Sequence, residues 1–256
     1  MKKKILFLAL VIVIVVIMIF ISITAFSGKI REYKKNNKTY TDEDIIISLK
    51  EASLRLHENE KEIIAYVNDM PVTSMEFNSY LISNAVSRIG EEITDEEIIH
   101  EIAKYKIIEN EAAKYGVSIS ESRYAELVSH AQKICKKEMD DETSVFKAAG
   151  ISSDMIFLIQ MNLELQFEYN KNFITSVLCQ GLLSGTIISD NKTVNEQIIK
   201  AKEAKDGIDA LASQKDSEEK MKKVSELTSE YTNSALNACN KYIDWLVETS
   251  KITIVN

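Results

Sequence analysis

The sequence predicts a mainly α protein with a small β-hairpin and a C-terminal strand, preceded by one N-terminal transmembrane helix. Three observations carry this. The 256-residue chain has seven glycines and one proline, too few punctuators for a turn-rich β fold. Apolar residues recur at helical spacing from Ile45 to Leu246. Residues 5–26 are uncharged and apolar, and twenty-two helical residues span ~33 Å, enough for a hydrocarbon core of ~30 Å.

That segment follows Lys2, Lys3 and Lys4, and it exceeds the ~7–15 apolar residues of a cleavable signal. An uncleaved anchor with a cytoplasmic tip over residues 1–28 is expected, and cleavage near Ser27 would instead give a secreted form. Lys29, Arg31, Lys34, Lys35 and Lys38 crowd the other flank, so the positive-inside count opposes an outward-facing bulk. The short tail and signal-like layout favour it. Residues 29–256 are therefore expected outside the cytoplasm.

Residues 29–60 read as a polar stalk without periodicity and then a leading helix. Thr41-Asp42-Glu43-Asp44 has the spacing of a capping box and opens that helix, which is expected to run to about residue 60. Ile63–Val67 has strand composition, and Asn68-Asp69 favours a tight turn. Pro71 suits an edge strand. Thr73 stands three residues before Glu76, a second capping box, opening a helix from Ser74 to about Ile89.

Thr94 to Glu97 caps the next helix, which Gly116 ends. Ser118 or Ser120 starts another. A short helix over residues 145–149 stops at Gly150, and Ser152 caps a long one extending to about Leu178. This last helix carries two apolar stripes: Ile156, Ile159, Leu163, Phe167 and Ile174 on one side, and Met155, Leu158, Met161, Leu165, Tyr169 and Phe173 on the other. It is either buried on both sides or open to a partner on one. Residues 179–192 read as a linker, and residues 193–256 as a helical hairpin with a closing strand, Ile252–Val255. The obvious mate for that strand is Ile63–Val67.

The net charge of −8, with no basic, aromatic-interleaved patch beyond residue 40, argues against nucleic-acid binding. His100-Glu101 begins a HExxH pattern, but Lys104 occupies the second ligand position. His57 and His130 are isolated in sequence. Cys135, Cys179 and Cys239 are far apart with no CxxC, so they read as buried structural thiols. No catalytic constellation, cofactor motif or metal-ligand cluster is legible, and the chain reads as a non-enzyme.

Ala65-Tyr66-Val67-Asn68-Asp69-Met70-Pro71-Val72-Thr73 with Glu76-Phe77, Glu111-Ala112-Ala113-Lys114-Tyr115-Gly116-Val117 with Ser120, and Phe146-Lys147-Ala148-Ala149-Gly150-Ile151-Ser152 resemble the N-terminal chaperone domain of the SurA and PrsA type of extracytoplasmic foldases. Trp245-Leu246 to Ile254 resembles that family's closing helix and strand. The family often has glycine where this chain has Asp69. The resemblance implies a helical chaperone-like lobe built from residues 63–178 and 193–256. The family commonly carries a parvulin isomerase domain before its closing helix, and residues 179–240, too short for one, nearly glycine-free after Gly185 and helical in period, are expected to lack it.

The function so implied is non-catalytic holding of unfolded or secreted polypeptides at the membrane surface, as a monomer or an oligomer. Met155, Phe157, Met161, Phe167 and Phe173 are the candidate client-binding residues. The alternatives are an isomerase relative with weak or lost activity, and a membrane-tethered scaffold.

Overall fold

The computed structural model describes residues 33–35, 38–59, 62–212, 214 and 217–255. The expected anchor at residues 5–26 lies outside them. Among the described residues no helix is long and apolar enough to cross a membrane. The chain is mainly helical with small antiparallel sheets.

The expected stalk contains paired backbone: β1 (Tyr33–Lys35) and β2 (Lys38–Tyr40) form an antiparallel hairpin with Tyr33 opposite Tyr40. Tyr40 lies over Gly90, where a Cβ would come within 2.5 Å of its hydroxyl. Gly90 also needs its left-handed backbone, at φ 77°. Helix α1 (Asp42–Ser53) starts at Thr41 with both halves of the capping box made. It stops well short of residue 60. The Asn78 side chain takes the His57 backbone in two bonds, accepting from its N–H at 3.0 Å and donating to its carbonyl at 2.9 Å. Those bonds replace the helical ones, and Leu54 is left 88% exposed.

Strands β3 (Ile63–Val67) and β4 (Met70–Thr73) form the expected hairpin, with Asn68 in the left-handed region at φ 53°. Strand β5 (Ile252–Ile254) pairs antiparallel on the other side of β3, with Ala65 opposite Ile254 and Val67 opposite Ile252. The order β4-β3-β5 makes β3 central, and Pro71 sits on an edge strand, where its missing N–H costs no ladder bond.

Helix α2 (Ser74–Ser87) is capped by Thr73 and Glu76, and α3 (Asp95–Lys114) by Thr94 and Glu97; both capping boxes are complete. Then come α4 (Glu121–Asp140), capped by Ser120 rather than Ser118, and α5 (Val145–Ala149), closed by left-handed Gly150. Helix α6 (Ser153–Tyr169) passes without a break into a π-helix (Asn170–Leu178) and then α7 (Cys179–Ser184). Residues 179–184 are thus helical, and the expected linker shrinks to 185–191. Gly181 serves packing there: a Cβ on it would come within 2.4 Å of Ile187 Cδ1.

Helices α8 (Lys192–Ala212) and α9 (Glu218–Glu248) form an antiparallel hairpin. The Asn191 side chain accepts from Thr193 and Val194 N–H at 2.9 and 3.2 Å to start α8. Only the base of the hairpin meets the core. Buried residues of α8 end at Ala204 and those of α9 begin at Ser234. The remainder, roughly 24 Å of α9, projects as an arm whose two helices pack on each other.

One core joins these parts. Ile45, Val67, Phe77, Ile102, Phe173 and Ile243, from six different elements, are all at most 1% exposed within it. A satellite cluster of Leu127, Ala131 and Met161 joins α4 to α6.

Candidate functional site

The sequence marks helix α6 as apolar on both sides, and the structure buries most of both. Ile156 and Ile159 enter the main core. Met161 enters the satellite core beneath α4, with Phe157 and Leu165 packed against it. The helix is therefore held between α4 on one side and α2 on the other.

The five candidate client-binding residues separate accordingly. Met161 is 5% and Phe173 0% exposed, so in this conformation both supply packing rather than surface. The Phe173 ring stacks on Tyr115 at 6.1 Å between centroids. Met155 and Phe157 are half-buried at the edges of the two cores. Phe167 is half-buried and belongs to neither core. One turn before it, Leu163 is 48% exposed. Residues four apart lie on one face of a helix, so Leu163 and Phe167 make a short apolar strip.

Polar side chains tie the rest of α6 and the π-helix down. Asn162 donates to Ser79 Oγ at 2.8 Å, and Gln166 donates to Tyr80 Oη at 2.9 Å. Glu168, 2% exposed, accepts from Arg123 Nε at 3.0 Å, from a second Arg123 nitrogen, and from Asn172 at 3.0 Å. Burial pushes the Glu168 carboxyl up, but the Arg123 hydrogen bonds and charge outweigh it and hold it below its ordinary value. Arg123 is correspondingly raised.

A seam of tyrosines runs behind α6. Tyr80, Tyr105 and Tyr169 are all raised, first by burial and then by carboxylates such as Glu76, Glu101 and Glu109; Tyr169 reaches about 12. Tyr169 donates to Glu109 at 3.4 Å. A phenol raised in this way stays protonated at neutral pH and acts as a donor, not a base. The seam is built to hold helices together.

The histidines sit apart from one another. His57 packs edge-on against Phe77 at 5.2 Å, His100 is exposed, and His130 Nδ1 lies 2.6 Å from Glu164. Lys104, the residue that interrupts the HExxH spacing, pairs with Asp244 at 2.8 Å. Among the described residues no three histidine, cysteine or acidic side chains converge on a common point. The surface of the described residues also carries open hollows. One of about 580 Å³ lies between α1, α2 and the approach to α3 and is crossed by the Arg55–Asp95 ion pair. Another of about 450 Å³ is lined by Tyr115, Ser176, Gln180, Thr186 and Ile187.

One grouping escaped the sequence reading altogether. The thiols of Cys179 and Cys239, separated by α8 and most of α9, hydrogen-bond to each other. No family model matches the chain, and neither a characterised protein nor a solved structure matches it.

Proposed function

We propose that this chain is a membrane-tethered, outward-facing and non-catalytic chaperone or foldase-like module of the SurA and PrsA type, which holds unfolded or secreted polypeptides. The observation that carries the reading is the Leu163–Phe167 strip, an apolar ledge on a helix held between α2 and α4. A rigid ledge with solvent on its open side suits weak, sequence-tolerant capture of apolar segments. The closing of the β3–β4 hairpin by β5 supports the same reading, because it joins residues 63–178 to the C-terminal helix as the family resemblance implies. The membrane tether rests on residues 5–26.

The test uses the full chain in detergent micelles or nanodiscs with an unfolded, aggregating client. Several-fold excess of the chain is expected to suppress client light scattering, and Leu163→Ser with Phe167→Ser to weaken suppression several-fold while leaving the fold intact. Unchanged aggregation with the wild-type chain would remove the reading. Protease accessibility in intact cells tests the orientation.

A second reading is favoured by the projecting α8–α9 arm: a scaffold that docks one defined partner. Crosslinking of a single stoichiometric partner, without affinity for unfolded chains, would replace the first reading with this one.

A further inference from the structure

We propose that Cys179 and Cys239 form a dithiol site that reacts with an external disulfide and closes into an intramolecular bond joining α7 to α9. The inference does not depend on client binding or on the membrane tether.

The geometry comes from the end of the π-helix. The Ile174 carbonyl accepts the Cys179 backbone N–H, five residues on, in the π pattern. The Cys239 Sγ lies 4.0 Å from the same carbonyl oxygen. One oxygen thus lies against both residues, and the two thiols meet beside it. Helices α7 and α9 pack against each other here.

The two thiols are unequal. Cys239 is 0% exposed, whereas Cys179 is half-buried. The hydrogen bond donated by Cys239 favours the Cys179 thiolate and lowers its pKa, and the same bond, with burial, raises Cys239. Cys179 is therefore the attacking sulfur and Cys239 the resolving one. Cys135 is different. Its Sγ donates to the Ser153 carbonyl at 3.1 Å, and burial with nearby Asp154 raises its thiol.

In the first step the Cys179 thiolate attacks one sulfur of the external disulfide. A new S–S bond forms, the reagent's own S–S bond breaks, and half of the reagent leaves as a thiolate that takes up a proton. In the second step Cys239 gives up its proton and attacks the Cys179 sulfur, expelling the other half of the reagent. The two protein thiols are oxidised, and the reagent is reduced to two thiols.

The test treats the purified full chain with oxidised glutathione, blocks residual thiols by alkylation after unfolding, and maps the peptides by mass. The expected product is a Cys179–Cys239 linkage with Cys135 alkylated. Cys239→Ser is expected to accumulate a persistent glutathione adduct on Cys179. Cys179→Ser is expected to leave Cys239 modified at least tenfold more slowly than Cys179 is in the wild type. Circular dichroism checks that both variants fold, and the wild-type map stands without them. Recovery of Cys179 and Cys239 both alkylated from the oxidised wild type, or linkage through Cys135 instead, would overturn the proposal.

Discussion

Tyr242 donates its hydroxyl proton to Glu111 at 3.0 Å, joining α9 to α3 across 131 residues of sequence, with both side chains buried. The bond stitches the C-terminal helix to the N-terminal lobe. Removing it in Tyr242→Phe leaves Glu111 with Lys114, at 2.7 Å, as its remaining ion-pair partner. A loss of about 1–3 kcal/mol in urea unfolding is expected, because the buried carboxylate keeps its desolvation cost and loses a donor. An unchanged midpoint would show that the bond contributes nothing net.

Alkali should unfold the lobe. Tyr80, Tyr105, Tyr169 and Tyr242 are all raised from 10.0, Tyr169 to about 12, with burial the first cause in each. Their folded pKa values exceed the unfolded one, so their contribution to stability is complete below pH 10 and lost as pH rises through the folded values. Helical ellipticity is expected to fall together with the appearance of tyrosinate absorbance. Tyrosinate forming while the ellipticity holds would contradict this.

The Arg123–Glu168 pair is asymmetric. The Glu168 side chain is 3% exposed and that of Arg123 is 41%. Arg123→Met strands a buried carboxylate and is expected to cost about 3 kcal/mol, whereas Glu168→Gln leaves an arginine that can reach water and should cost about 1 kcal/mol. Glu168 is lowered from 4.5, so the pair's contribution is complete above that pH and fades as pH falls through the folded value. Urea midpoints at pH 7 and pH 3 check both statements. Equal losses for the two variants would refute the asymmetry.

Asn68 sets how the β3–β4 turn meets the approach to β5. It holds a left-handed backbone, its N–H donates to the Lys251 carbonyl at 2.7 Å, and its side-chain oxygen accepts from the Lys251 N–H at 3.0 Å. Asn68→Gly keeps the backbone freedom and loses the side-chain bond. Asn68→Ala loses both, and should be the less stable of the two by about 1 kcal/mol. Thermal unfolding of the pair measures it, and an alanine variant as stable as the glycine one would remove the argument.

Apart from the β3–β5 pairing, what could be read from the sequence was local. The capping boxes at Thr41, Thr73 and Thr94 formed because their chemistry spans three residues and needs nothing else. The β3–β5 pairing was legible from two apolar runs that lacked other mates. Features decided by distant groups were not. Helix α1 ends early because Asn78 captures the His57 backbone, and no periodicity carries that information. The two stripes of α6 were visible, but not that α4 would cover Met161 and leave Leu163 open. The meeting of Cys179 and Cys239 depends on how α7 packs on α9. Nothing in their spacing pointed to it.

The central position of β3 has a consequence for how the protein is made. One neighbour of β3 lies three residues away, and the other is β5, at residues 252–254. During synthesis, β3 therefore waits with one open edge until the chain up to β5 has emerged. An unpaired strand edge invites pairing with other chains. The lobe is most vulnerable in the interval before β5 emerges, and truncations that remove β5 should aggregate in nascent form even where every helix has already formed.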